Sequence, residues 1–247
     1  MTMPITTWGR NMDMLQLREK EIFKTLRKIR SFKFVVIGGY AVNAYTLPRF
    51  SVDCDIVIED DFKLKDMEKE LKNIKYVKEA TDFVNLPYHE EFRRYEKEIA
   101  KNFRVSIDIM IKNVSDRKTH ALFTAEWIFE NSALRLLKGK TITEELRVRI
   151  INPDALIVTK LVSCRSTDIR DIFMLITQAK DVEWIKQEVA KRCDFIEKFT
   201  MLKEKITSAK FKDNLQGVYG HIDEKIFEKH KKAVLELGKI FWETNLK

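Results

Sequence analysis

The stretch Phe34-Val-Val-Ile37-Gly-Gly39-Tyr-Ala-Val-Asn43, followed by Arg49-Phe-Ser-Val-Asp53-Cys-Asp55-Ile-Val-Ile58, decides how this chain is read. A short apolar run ends on a glycine pair, and a second apolar run carries two aspartates two residues apart. Side chains alternate along a strand, so Asp53 and Asp55 face one way and Cys54 points the other way, into a core. A third acid sits in Val105-Ser-Ile-Asp108-Ile-Met-Ile111, another β-branched stretch able to lie beside the first. Carboxylates placed side by side among apolar residues are costly unless a cation or hydrogen bonds satisfy them. Three of them at this spacing point to a metal site, whereas the glycine pair alone would signal no more than a tight turn.

The residue types suit phosphoryl chemistry. Magnesium prefers hard oxygen ligands and keeps part of its shell for substrate phosphates, so Asp53, Asp55 and Asp108 are a natural protein share. Two such ions, with manganese as the alternative, can clamp the attacking and leaving oxygens of an in-line displacement at phosphorus. Gly38 and Gly39 let the backbone approach a phosphate closely at the start of a helix. Ser51 shares the parity of the two aspartates and is expected to face the same pocket, and Arg49 lies within reach of a phosphate. The histidines at 89, 120, 221 and 230 are scattered without metal-ligand spacing and read as surface or structural residues.

At these residues the chain resembles the nucleotidyltransferase (DNA polymerase beta-like) superfamily, whose signature is an apolar strand, Gly-Gly or Gly-Ser, a spacer, and Asp-x-Asp in the next strand. Here thirteen residues, Tyr40 to Val52, separate Gly39 from Asp53. The wording looks most like the prokaryotic branch that includes AbiEii-type toxins and their uncharacterised relatives. A second block, Asn152-Pro-Asp-Ala-Leu-Ile-Val-Thr-Lys160-Leu-Val-Ser-Cys-Arg165-Ser-Thr-Asp168-Ile-Arg170-Asp171-Ile172, resembles the helix with a lysine, and the following arginine and acids, of the same branch. The resemblance covers roughly residues 32–180 and departs at Gly39, which is often serine in that branch.

The resemblance implies an α/β (α+β) fold, a nucleotidyltransferase-type mixed sheet flanked by helices, with a C-terminal helical bundle. It implies an NTP donor, release of pyrophosphate, Lys160 against the triphosphate, and Arg165 and Arg170 near the substrate. Either Asp168 or Asp171 would be the functional acid of the second block. The acceptor hydroxyl it suggests is on RNA, such as a tRNA 3′ end, in a toxin-like role that an antitoxin protein would neutralise. Without the resemblance, Arg165, Arg170, Asp168 and Asp171 read equally well as caps and surface ion pairs. The competing function is a non-catalytic nucleotide- or RNA-binding module that keeps the fold, against which the retention of three carboxylates argues.

Bulk properties agree with a cytoplasmic enzyme. The chain has 247 residues, 45% of them hydrophobic, enough for one large or two modest domains. Cysteines 54, 164 and 193 form no Cys-x-x-Cys pair and imply a reducing compartment. No signal peptide or membrane span is expected, because the longest apolar run, 34–42, is interrupted by glycines and is far too short. Charge is unevenly spread: residues 34–110 hold twelve Lys and Arg against fifteen acids, while 111–180 hold twelve against eight. An acidic metal segment with basic flanks suits a polyanion such as RNA or the triphosphate itself.

The apolar spacing predicts a helix over 13–30, a strand at 33–37, a helix at 40–46, a strand at 53–59 and a helix at 63–75. The charged stretch 88–102 reads as helical, a flap beside the site, before a strand at 103–111. Residues 119–151 read as mixed, with a turn at Gly139 and a strand near 147–151. Helices follow at 153–164, 168–179, 181–192, 194–209 and 222–245, with a loop at Gly217-Val-Tyr-Gly220. The expected division is a catalytic domain over 1–151 and a helical domain over 152–247, with the site in the groove between them.

Overall fold

The computed structural model describes residues 7–60, 62, 64–79 and 92–243. Its centre is a seven-stranded mixed sheet, and the two strands that open the sequence reading lie in the middle of it. In chain order come α1 (Thr7–Ile29), β1 (Val35–Val36), α2 (Gly38–Asn43), β2 (Asp53–Ile58), α3 (Leu64–Asn73), β3 (Val77–Lys78), β4 (Phe92–Ala100) and β5 (Phe103–Ile111). A small hairpin of β6 (Asn113–Ser115) and β7 (Leu122–Thr124), then α4 (Ala125–Glu130), β8 (Ser132–Leu137) and β9 (Leu146–Ile151), complete the first part. The helices α5 (Pro153–Ser163), α6 (Ser166–Leu175), α7 (Val182–Ala190), α8 (Phe195–Thr207), α9 (Phe211–Tyr219) and α10 (Glu224–Glu243) follow.

The sheet order is β3-β4-β5-β2-β1-β9-β8. β2 runs antiparallel to β1 and parallel to β5, so its residues 53–58 align with 106–111. Central position explains composition: Ile56, Val57, Ile107 and Ile109 are fully buried, as expected of strands covered on both faces. α1 packs on β4 and β5 and against α3, and the buried side chains of sheet and C-terminal helices form one continuous cluster. This is the α/β fold anticipated from sequence, a mixed sheet flanked by helices.

Two expectations fail. Residues 92–100 of the stretch read as a helical flap form β4, a full strand between β3 and β5; residues 88–91 lie outside the described residues. Its charges misled because a helix surface and a strand with paired neighbours can share a composition. Lys97 reaches Glu21 at 2.6 Å, Glu96 accepts from Arg104 at 3.0 Å, and Arg94 grips Asp108, so the charges are cross-strand and helix-to-sheet partners. The loop expected at Gly217–Gly220 is mostly helix: α9 runs through Gly217 to Tyr219, and Gly220, at φ +89°, ends it. Phe211, Leu215 and Tyr219 supply the buried face that outweighs the glycine.

Candidate active site

β2 presents Asp53 and Asp55 to one face and Cys54 to the core, where Cys54 is fully buried. Parallel pairing with β5 puts Asp108 directly beside Asp55, and antiparallel pairing with β4 puts Arg94 beside Asp108. The result is a row across three strands, Arg94, Asp108 and Asp55, with Asp53 one pleat away opposite Ser106. The Ser106 hydroxyl donates to an Asp53 oxygen. Arg94 holds Asp108 with two parallel bonds, Nε to Oδ1 at 2.8 Å and Nη2 to Oδ2 at 2.6 Å, and stands 4.0 Å from Asp53.

Asp55 differs from its neighbours. No side chain among the described residues donates a hydrogen bond to it or pairs with it at ion-pair distance. Burial, then the adjacent Asp108 and Asp53, push its carboxyl up to about 7, against a smaller pull down from Lys160 and Arg94. Burial likewise raises Asp108 above the ordinary carboxylate value even though Arg94 opposes the shift. Gly38 explains why the strand end can approach so closely: it sits at φ +64°, and a Cβ there would lie 2.0 Å from Asp55 Oδ2. Any other residue at position 38 would therefore be strained in backbone and would have to push the Asp55 side chain away.

These groups line a cavity of about 840 Å3 between the sheet and the start of the helical region. Gly38, Asp53, Asp55, Arg94 and Asp108 form the sheet wall, and Lys160, Arg165 and Asp168 face them from α5 and the start of α6. Pro153 at the first turn starts α5, and Cys164 in the left-handed conformation (φ 49°) ends it, turning the chain directly into α6. Asp168 caps that helix by accepting from the Arg165 amide at 3.2 Å while its other oxygen meets the Lys160 ammonium at 3.0 Å. Arg165 leans on Asp116 at 2.8 Å. Burial alone would raise the Asp116 carboxyl, but the Thr119 amide, the Ser163 hydroxyl and Arg165 hold it at about 2.

Behind this wall lies a second layer. Asp171 accepts two bonds from Arg49 (2.9 and 2.7 Å), one from the Tyr219 hydroxyl (2.6 Å), and pairs with Lys160 at 2.7 Å. Desolvation would raise it, yet Lys160 and Arg49 hold it down at about 2. For Lys160, burial favours the neutral amine but Asp171 and Asp168 outweigh it and raise the pKa, so the amine is a buried ammonium. Asn43 fixes the Arg49 backbone from both sides, donating to its carbonyl at 2.8 Å and accepting from its amide at 3.0 Å.

The sequence-selected residues thus sort into two layers. Asp53, Asp55, Asp108, Gly38, Lys160, Arg165 and Asp168 wall the cavity; Arg49 and Asp171 are joined behind it, and Gly39 packs against Ser51 and Arg49. The alternation carrying Asp53 and Asp55 does not extend to Ser51, which precedes β2 and donates to the Asp53 carbonyl at 3.3 Å. Arg170 is half-buried and is not among the residues lining the cavity. Sequence reading passed over Arg94, Asp116 and Tyr219. Arg94 becomes readable only once 92–100 is known to be a strand, whose alternation then puts it with Phe92 on one face and Tyr95 on the other.

The oxygens of Asp53, Asp55 and Asp108 fit a hard divalent cation in type and in placement on neighbouring strands. Among the described residues, however, no group of three or more His, Cys, Asp or Glu is gathered as a metal site, and Asp108 is turned onto Arg94 instead. No protein-family model matches the chain, and no curated protein matches its sequence. Its structure is similar to that of a "putative nucleotidyltransferase from H. pylori", with a TM-score of 0.53 and 15% identity, covering 93% of this chain and 97% of that one. An "antigenic nucleotidyltransferase-like protein from Paracoccidioides brasiliensis" is also similar, at 15% identity over 77% of this chain and 93% of that one, with a TM-score of 0.45. The first likeness shows that the chain has a nucleotidyltransferase-like fold. No helix among the described residues is long and apolar enough to cross a membrane.

Proposed function

We propose that the protein is a metal-dependent nucleotidyltransferase that moves a nucleotide from an NTP to an acceptor hydroxyl. The observation that carries this reading is Asp55, a carboxylate without a side-chain donor among the described residues, pressed between Asp53 and Asp108 on the wall of a large cavity that an ammonium faces. Three carboxylates side by side on the sheet wall, with one arginine fork spent on Asp108, suit a site completed by cations at Asp55. Asp53 and Asp55 would hold magnesium (or manganese), with Asp108 as the third ligand. Bound there, the ions would draw charge from the phosphates and favour displacement of pyrophosphate.

This chain's own groups would do the rest. Asp108, whose carboxyl burial raises from its ordinary value, would take the proton of the acceptor hydroxyl. Lys160 and Arg165 face the carboxylates across the cavity and would draw the triphosphate between them, while Gly38 allows close backbone approach. We take the acceptor to be RNA, with a tRNA 3′ end as the first candidate, and the role to be that of an AbiEii-like toxin held by an antitoxin protein.

Incubation with each labelled NTP, magnesium and total RNA tests the proposal. Label transferred to RNA, and lost in Asp53→Ala, supports it; transfer only to a protein or small molecule removes the RNA acceptor. The Arg94 grip on Asp108 favours a second reading, a nucleotide- or RNA-binding module without turnover. Calorimetric NTP binding that yields no product with any acceptor would establish that alternative.

A further inference from the structure

We propose that Arg94 is a resident counter-cation that competes with a divalent ion for Asp108, so that metal binding requires the arginine to let go. The inference rests on the metal site proposed above and concerns how that site is controlled.

Four observations carry it. Arg94 lies in the same row as the carboxylates, its Cα paired with Asp108, whose Cα in turn pairs with Asp55. Its guanidinium takes both oxygens of Asp108, at 2.8 and 2.6 Å, and so occupies the bidentate edge through which that carboxylate would chelate a cation. It also stands 4.0 Å from Asp53, so one side chain supplies the positive charge nearest to two of the three acids. Finally, Arg94 lines the cavity and is not locked in the core, and a second carboxylate, Glu79, lies 4.0 Å from its Nε on the outer side. The Glu79 amide donates to the Arg94 carbonyl at 2.9 Å, which fixes the two residues beside one another.

A guanidinium is a poor substitute for a divalent ion at Asp55. It is planar, carries one charge, and already spends its fork on Asp108, so among the described residues Asp55 remains without a side-chain donor. The arrangement is a site neutralised in part: stable enough to fold without metal, and still short of charge where the ion would sit. When a divalent ion claims Asp108, the arginine has Glu79 within reach, so the exchange needs rotation of one side chain and no movement of the sheet.

The test is a titration of metal-free protein with Mn2+, with free ion followed by electron paramagnetic resonance, in a double-mutant cycle. Arg94→Met is expected to tighten Mn2+ binding roughly tenfold to a hundredfold, the equivalent of one charge-assisted bidentate pair. Arg94→Lys, which keeps the charge and loses the fork, falls between the two. In an Asp108→Asn background the gain from Arg94→Met disappears, because there is no carboxylate left to compete for. Equal or weaker binding by Arg94→Met overturns the proposal, and so does a gain that persists undiminished in Asp108→Asn, which would be long-range charge alone. Absence of Mn2+ binding by wild type and by every variant would instead remove the metal-dependent reading on which the proposal stands. Should Arg94→Met fail to fold without metal, its recovery by Mn2+ in a thermal melt supports the exchange, and failure of Arg94→Lys to bind more tightly than wild type overturns it.

Discussion

Two arginine forks grip two aspartates on either side of the same cavity, and their surroundings set them apart. Arg49 and Asp171 have side chains 14% and 2% exposed, and Asp171 also takes Tyr219 and Lys160. Arg94 and Asp108 are 30% and 7% exposed, and among the described residues Arg94 alone donates to Asp108. The carboxyl with three partner side chains is held at about 2, whereas the one with a single partner side chain remains above its ordinary value. Geometry at the fork is nearly the same in both; the number of donors per carboxylate decides whether the pair is a fixed strut or an exchangeable one. The buried pair joins the loop before β2 to α6 and α9, and the open pair closes a site.

The largest effect should come from Asp171→Ala, which leaves Arg49 buried without its carboxylate and Lys160 with Asp168 alone, and costs on the order of 3–5 kcal/mol in denaturant unfolding. Asp108→Ala, by contrast, relieves crowding around Asp55 and should cost under about 1 kcal/mol without metal. If the two variants unfold alike, the distinction between strut and exchangeable pair is lost.

The pH dependence of metal-free stability should carry opposite signs at the two places. Asp171 has a depressed pKa, so its contribution is complete above the ordinary value of 3.8 and fades as pH falls toward about 2. Asp55 is raised to about 7, so the folded state holds a proton that the unfolded chain has released, and stability declines as pH rises from roughly 4 to about 7. Asp55→Asn should flatten that decline in melts without metal, while abolishing any transfer activity. A wild-type profile that rises through this window would contradict the crowding of Asp55.

Gly38→Ala tests how closely the backbone is set against the row. A left-handed alanine costs roughly 1–2 kcal/mol, and its methyl must displace the Asp55 carboxylate, so the variant should melt lower and bind divalent ions more weakly. A modest effect is expected from Tyr219→Phe, about 0.5–1.5 kcal/mol, since Arg49 and Lys160 keep Asp171 satisfied. A loss as large as that of Asp171→Ala would make the hydroxyl, not the fork, the centre of the strut.

The central strands and the carboxylate row were legible because the signal is local: alternation over a few residues places Asp53, Asp55 and Cys54 without knowledge of their neighbours. The choice between Asp168 and Asp171 was open in sequence, and the structure places them in different layers, one on the cavity and one behind it. β4 was illegible for the opposite reason, since the partners of Lys97, Glu96 and Arg94 come from α1 and β5. The role of Tyr219 was hidden for the same cause: a hydroxyl on α9 says nothing until α6 is packed beside it.

The buried strut also sets an order of events during synthesis. Arg49 emerges from the ribosome long before Asp171, and the Tyr219 hydroxyl that completes the set follows later still. Until then the loop leading into β2 is anchored only through Asn43 at its backbone, and the Lys160 ammonium lacks its counter-charge from Asp171. A nascent chain therefore carries all three carboxylates of the row for 63 residues of elongation, from Asp108 to Asp171, before the strut can lock. Competence arrives late, and proteolysis of stalled or truncated chains should find the Arg49 loop open to cleavage.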